Sequence, residues 1–495
     1  MCKNILLIVL SILIIFIIIM IPGCAVDNNI TDAEKTNDVS KDTGIDAETE
    51  YKYEFPNVNY GGAEFYVLNP DSKVWAAFSD IVIDEANGEI LNDTVYNRNL
   101  QIEELFNIKL KQDAVYPGNT LTKARKQIQT GEDVYDAMFL GYNWEGAIGT
   151  IMLDGGFYNL AEITEFHFDQ PWWNQNIVNQ LKIGSSDSLY FALNDIDVVN
   201  MQNASLMYFN ENMMQDLGLE PPYSLVKNGK WTLDEYAKYL KAAANLNGDE
   251  NWKWNKNGNS IYGHVSYHYG VTAVLFGSDI TIIDSDNNNL PYLAIENEHF
   301  YSAVQKISNI LSVPGQFIYQ DTDTPGSNRF IIFMTGRSLF IDSTLTAPTE
   351  LREMDEPFGI LPMPKYDELQ ENYLTLIHSL STFTTIPITN PDPQGAAAVL
   401  DAMAYLSYKE VRPVYFDIAL PYKHLRTEES IDMIKILMDT RIIHVGYVYD
   451  WTSSFLNNDM RKLIREKNPN IASAIEKNKN TINDSIQKTI DFFNK

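Results

Sequence analysis

Cysteine is almost missing from this chain of 495 residues: Cys2 and Cys24 are the only two, so nothing after position 24 carries a thiol. Disulfides are thereby excluded from the body of the protein. Such a body suits folding outside the cytoplasm without reliance on disulfide chemistry. Positive charge is also scarce. Lys and Arg number 37 against 66 Asp and Glu, a formal net charge of −29, which repels phosphate backbones and anionic headgroups and argues against a nucleic-acid partner. Common enzyme signatures are missing: there is no HExxH, GxSxG, GxxxxGKS/T, GxGxxG or paired CxxC. Internal repeats are absent, and one long uncharged apolar run stands out, Ile5 to Ile21.

What is present is the material of a large globular body. The hydrophobic fraction is 45% and the aromatic fraction 12%. A single core stops growing at about 250–300 residues, so two compact units are expected. The run "ILLIVLSILIIFIIIMI" follows Lys3 as the apolar part of an export signal would. Its length also approaches the roughly 17–25 residues that span a bilayer, which leaves an uncleaved anchor as the other reading. The residues that follow it, Ile21-Pro22-Gly23-Cys24, resemble the lipobox of bacterial lipoproteins. That resemblance implies removal of residues 1–23, acylation of Cys24, and a protein held by lipid on the extracellular face of the cell membrane. Buried acyl chains contribute about 0.8 kcal/mol per methylene. Residues 24–56 then begin as an acid- and amide-rich stretch with no aromatic residue before Tyr51, expected to be a disordered tether.

Strands alternate with helices beyond the tether. "AEFYVL" after Gly61-Gly62 reads as a first strand, and Val95, Leu100, Leu105 and Phe106 are expected on one helix face before a second strand around Ile108–Gln112. "LTKARKQIQTGE" reads as a helix and "VYDAMFLGYN" as a buried strand. This alternation implies a mostly parallel sheet, with ligand sites at the carboxyl ends of its strands. "SLYFALNDIDVV", "NRFIIFMTGRSLFID" and "FGILPMP" read as further strands, 245–259 as a surface loop, and the stretch from Gln394 onward as mainly helical.

Few residues point to chemistry. His264 and His268 stand at helical spacing without a third ligand nearby and are read as semi-buried histidines; no metal or cofactor is expected. Asn245, Asn247 and Asp249 have the alternation of a calcium loop, but Glu250 and Lys256 occupy the positions that need glycine and a bidentate carboxylate. Asp195 and Asp197, two apart on an expected strand, would share one cleft wall, suited to hydrogen-bonding sugar hydroxyls or to the acid and base of a glycosidase. Aromatic residues near expected strand ends and loops, including Tyr142, Trp144, Trp172, Trp173, Tyr267, Tyr269, Tyr447, Tyr449 and Trp451, could stack on the apolar faces of sugar rings. Trp231, followed by Thr232 as a helix cap and by Glu235, is read as structural.

Three segments in order, "SLMYFNENMMQDLGLEPPYSLVKNGKWTLDEY", "FMTGRSLFID" and "FGILPMP", resemble those of extracellular solute-binding proteins of carbohydrate ABC importers. The resemblance implies an α/β, two-lobe periplasmic-binding-protein-like fold of type II, with discontinuous lobes, each a mostly parallel sheet with flanking helices. Lobe one would take 57–193 and 365–425, lobe two 205–358 and 430–495, with crossings at 194–204, 359–364 and 426–429. It further implies a first-lobe binding turn at Tyr142, Asn143 and Trp144, a hinge-side wall at Asp195 and Asp197, and a second-lobe turn at Ser343 and Thr344. Tyr449 and Trp451 would form a C-terminal aromatic platform, with Tyr269, Trp172 and Trp173 as further candidates. The implied activity is capture of a saccharide, in particular an oligosaccharide, by a monomer that presents it to a membrane permease pair without covalent chemistry. A membrane-anchored glycoside hydrolase or lyase using Asp195 or Asp197, and a cell-surface interaction module, remain the other readings.

Overall fold

The computed structural model describes residues 53–495, apart from 76, 79, 421–426 and 467–469. The apolar leader, Cys24 and nearly all of the expected tether lie outside the described residues, as does Arg426 at the third expected crossing. Among the described residues no helix is long and apolar enough to cross a membrane.

Gly61 and Gly62, both at positive φ, turn the backbone into β1 (Ala63–Pro70), which ends in a run of buried residues. Helix α1 (Ile90–Phe106) leads to β2 (Ile108–Val115), and α2 (Thr120–Thr130) to β3 (Ala137–Gly141). β1 lies between β2 and β3 and is parallel to both, with Val67 opposite Gln112 and Ala137. The face of α1 differs from the expectation. Val95, Ile102 and Phe106 are buried with Arg98 and Asn99, whereas Leu100 and Leu105 are exposed, because five residues from Val95 carry the 3.6-residue helix well round from the core.

A second sheet begins at β4 (Leu206–Asn210). After α3 (Leu233–Ala243) come β5 (Tyr262–Ser266), α4 (His268–Gly277), a small hairpin of β6 (Ile283–Ser285) and β7 (Pro291–Leu293), α5 (Glu298–Leu311), β8 (Phe317–Tyr319), β9 (Ser338–Ser343) and β10 (Phe358–Leu361). The order is β10-β4-β9-β5-β8, with β5 parallel to β8 and β9 and the β4 pairings antiparallel. The chain then forms β11 (Thr375–Leu376) and returns to the first sheet as β12 (Thr382–Thr385), antiparallel to β3. Helices α6 (Pro393–Leu406) and α7 (Glu428–Asp439) follow, then β13 (Arg441–Ile442), parallel to β11, and the terminal α8 (Ile471–Phe493). Two helix-flanked sheets, each gathered from separated stretches of chain, define a two-lobe α/β fold.

Two expected strands are something else. "NRFIIFM" is a short helix, Arg329–Met334, started by the Asn328 side chain on the Phe330 amide; a continuous apolar run does not distinguish a buried strand from a buried helix turn. "SLYFALNDIDVV" makes only isolated bridges, Ala192 to Thr384 and Asn194 to Trp173, then bends at 195–197 into the helical turn Val199–Gln202. The loop 245–259 closes on itself: Asp249 accepts from the Asn259 amide (2.9 Å), the Ser260 amide (2.8 Å) and the Ser260 hydroxyl (2.6 Å). Trp231 is fully buried and donates its indole N–H to the Pro362 carbonyl at 3.1 Å, while the Thr232 side chain caps α3 by accepting from the Glu235 amide.

Trp172 and Trp173 are buried. Their indole N–H groups both donate to the Asp401 carboxylate of α6, at 3.1 and 2.7 Å, and His167 reaches the same carboxylate through its backbone amide (3.2 Å) and Nδ1 (2.6 Å). This buried carboxylate therefore gathers the 167–173 segment onto α6. Each buried donor left without an acceptor costs about 1–3 kcal/mol, so Asp401→Ala should destabilise the protein by about 3 kcal/mol or more in denaturant unfolding. A loss under about 1 kcal/mol, within the range of a harmless substitution, would show that the clamp contributes little.

Candidate functional site

A cavity of about 370 Å³ opens where strands of both sheets end. Trp144 follows β3, Tyr267 follows β5, Gln320 follows β8, Ser343 ends β9 and Thr344 follows it, all lining the cavity. Asn203, Ser205 and His378 supply its floor from the segments that pass between the sheets. Carboxyl ends of strands are where open α/β folds place ligands, and the volume lies in the range of about 300–1,000 Å³ usual for small-molecule sites.

The aromatic part is a shelf. Trp144 is 40% exposed, its ring 6.3 Å from that of His378, which lies 4.2 Å from the Tyr269 ring. Tyr269 is buried with its hydroxyl on the Ile377 carbonyl at 3.0 Å. His378 accepts the Leu380 amide at Nδ1 (3.3 Å), and burial pushes its pKa down to about 3, with His268, Arg461 and Arg329 adding to the effect. The imidazole is neutral, its remaining proton on Nε2.

The polar part is charged. The Arg329 guanidinium packs over the rings of Phe330 (4.4 Å) and Tyr267 (5.4 Å), with Nη2 3.5 Å from the Ser343 hydroxyl. Asp342, on β9, is buried at the wall and takes His264 Nε2 on Oδ1 at 3.0 Å, while His264 Nδ1 meets the Tyr236 hydroxyl at 2.6 Å. Burial holds the Tyr236 pKa well above its usual value, so its O–H donates to Nδ1 and the imidazole donates to Asp342. His264 thus serves a buried hydrogen-bond chain, and with His264 on β5 and His268 on α4 the two do not share a helix face.

The structure gathers four of the expected site residues, Trp144, Tyr269, Ser343 and Thr344, around this cavity. Tyr142 and Asn143 lie behind it: the Tyr142 hydroxyl donates to the Ile377 carbonyl (2.7 Å), and the Asn143 amide to the Tyr447 carbonyl (2.5 Å) and Ser453 (3.1 Å). Asp195 is buried in an ion pair with Arg412 (2.8 Å), with Arg441 at 3.8 Å. Asp197 is fully buried, accepts from Thr382 and the Val199 amide, and is pushed up to about 7 by burial. The two carboxylates belong to a bend, not a strand, so the shared cleft wall does not form. Tyr449 and Trp451 stack at 5.0 Å and are buried, their polar atoms on the Leu181 carbonyl and Thr489. Trp451 borders a separate cavity of about 430 Å³ with Lys182, Asp279 and His444. Asn203, Ser205, His378, Arg329 and Asp342 were not expected; only their proximity in the fold reveals them.

Comparisons with known proteins agree with this architecture. No family model matches the sequence, and no curated protein matches it. Among solved structures, the ABC substrate-binding protein Lmo0181 from Listeria monocytogenes, in complex with cycloalternan, is similar with a TM-score of 0.57 at 13% identity, over 86% of this chain and 99% of that one. The GacH receptor of Streptomyces glaucescens, solved unliganded and with acarbose, gives 0.54 at 11%, over 86% and 98%. UgpB from Mycobacterium tuberculosis, in complex with glycerophosphocholine, gives 0.54 at 10%, over 87% and 99%. The chain therefore has the two-lobe fold of ABC substrate-binding proteins.

Gly270 opens α4 directly against Asp342, and a Cβ there would overlap the carboxyl group. Relieving the overlap means moving a carboxylate bonded to His264, so Gly270→Ala should lower the melting temperature and displace the cavity wall; an unchanged melting temperature would mean that the carboxylate or α4 yields easily. A pH dependence also follows. His378 and His444 sit near 3 in the fold against 6.5 ordinarily, so between these values the unfolded chain binds more protons and stability falls as pH falls. In urea titrations His378→Gln should lose less stability than wild type between about pH 6 and 4; parallel losses would show that His378 charges freely.

Proposed function

We propose that this protein is the solute-binding component of an ABC importer: it captures a saccharide, in particular an oligosaccharide, in the cavity between its sheets and delivers it to a permease pair. Cys24 would be acylated, and the protein would act as a monomer on the extracellular face of the cell membrane, tethered by the stretch that follows. The observation that carries this reading is the pairing, in one cavity at the strand ends, of an aromatic shelf at Trp144 and Tyr269 with hydrogen-bonding groups at Ser343, Thr344, Asp342 and Arg329. Aromatic faces suit the C–H faces of sugar rings, and the polar groups suit their hydroxyls. The similar structures give the same direction, since Lmo0181 was solved with cycloalternan and GacH with acarbose.

The hydrolase reading draws no support from this cavity, since Asp195 pairs with Arg412, Asp197 accepts from Thr382, and neither lines it. A phosphodiester ligand belongs among the probes, since UgpB was solved with glycerophosphocholine.

Residues 51–495 should be screened by thermal shift against mono- and oligosaccharides and glycerophosphocholine, with hits followed by calorimetry and mass spectrometry of the recovered ligand. A bound ligand at 100-fold excess over Kd stabilises by about 2.7 kcal/mol. Intact glycan binding, weakened roughly tenfold by Trp144→Ala through lost stacking, is the expected result. A response to glycerophosphocholine alone, or to nothing, would overturn the saccharide assignment, and a shortened glycan would restore the enzyme reading.

A further inference from the structure

Two polar atoms on the cavity floor have no hydrogen-bond partner within the protein: the amide nitrogen of Asn203 and the hydroxyl of Ser205. Both residues are buried, at 3% and 2% exposure. Buried polar groups are nearly always satisfied, and each left alone carries a desolvation cost, so two together on the wall of one cavity require an explanation. Looseness is not the explanation, because the backbone around them is tied down. The Asn203 carbonyl accepts the His378 amide at 2.8 Å, the Ser205 amide donates to the Leu376 carbonyl at 3.1 Å, and Ala204 between them bridges Ile377 in antiparallel fashion. Asn203 leaves the helical turn Val199–Gln202 and Ser205 precedes β4, and both residues line the cavity.

We propose that Asn203 and Ser205 are specificity-determining residues of the cavity, their side chains held in place to meet the oxygens at the buried end of the ligand. This rests on the saccharide reading and extends it. Ser205 can donate and accept, the Asn203 amide nitrogen donates, and neutral His378 beside them carries its proton on Nε2. A floor made mainly of donors selects a ring edge that presents acceptor oxygens in matching positions. A sugar whose epimeric hydroxyl points elsewhere leaves a buried donor unmet and is rejected. Because these residues lie on a segment that crosses between the sheets, whatever they grip also touches the link between the lobes.

The test uses Ser205→Ala and Asn203→Ala in the 51–495 protein, with maltose, maltotriose, cellobiose and raffinose as probes. Two readouts are taken: Kd by calorimetry for each sugar, and the melting temperature without sugar. The expected result is a loss of about tenfold in affinity for the best-bound probe, a smaller loss for the weaker ones so that discrimination shrinks, and an unliganded melting temperature that is unchanged or higher. Removing an unmet buried hydroxyl does not weaken the fold, whereas removing a structural one does. Equal weakening for all probes together with a lower melting temperature would make the pair structural and overturn the proposal. Unaltered affinities in variants of a protein that binds sugar would overturn it while leaving the receptor reading standing. A wild-type protein that binds none of the probes would overturn both.

Discussion

The carbonyl of Ile377 ties the molecule together. The hydroxyl of Tyr142, at the end of the first sheet's β3, and that of Tyr269, at the start of α4 beside the second sheet, both donate to it, at 2.7 and 3.0 Å. The same residue donates its amide to the Ile442 carbonyl at 3.0 Å and bridges Ala204. Three crossing stretches thus meet at one residue whose backbone donor and acceptor are both used. The aromatic shelf inherits its position from this point, since Tyr269 is held by its hydroxyl and His378 follows Ile377 directly. An aromatic ring fixed at its polar tip offers a rigid face, which costs less to order on binding than a mobile one.

A body without disulfides has to hold its crossings by other means, and it uses buried charge. Asp195 lies between Arg412 and Arg441, and Arg441 also donates to the Asn200 carbonyl at 3.3 Å. Arg98, fully buried, donates to the carbonyls of Ile81 (2.6 Å) and Ile196 (2.8 Å) and to Ser407 (3.0 Å). Buried ions add little net stability, because desolvation offsets most of their attraction. Their consequence is geometric: a guanidinium that must reach acceptors on three separate segments fixes how those segments meet. The 194–200 stretch, an expected cleft wall, is this kind of fastening.

Much of the fold was legible because its strands are either continuous apolar runs or are set off by glycine, as at β1, β3 and β10. Where the reading failed, an apolar run lacked periodicity, as in "NRFIIFM", and the overlooked signal was the capping Asn328 ahead of it. The site divided along similar lines. Trp144 and Tyr269 were accessible as aromatic residues near expected strand ends and loops, whereas Ser343 and Thr344 came only from the resemblance to solute-binding proteins. Asn203, Ser205 and His378 were not accessible, since their role depends on two crossing stretches about 170 residues apart lying side by side. Asp195 and Asp197 were chosen by the alternation rule from the same crossing region, and the rule fails there because 195–197 is a bend.

Many of the aromatic residues are fastened through their polar atoms, Tyr269 of the shelf included. Trp172, Trp173, Trp231, Trp451, Tyr142 and Tyr449 each spend an N–H or O–H on an internal acceptor and are buried. An abundance of tryptophan and tyrosine therefore does not by itself mark a sugar site; these six join distant segments through a ring that packs and a tip that bonds. Trp144 differs in standing 40% exposed on the rim of a cavity whose floor holds unmet polar atoms. Exposure of a large ring is unremarkable alone, and so is a buried hydroxyl. Their coincidence is what distinguishes a surface built to receive a molecule from one that merely closes the protein, because the ring supplies contact area and the floor supplies the directional demand that only a matching ligand meets.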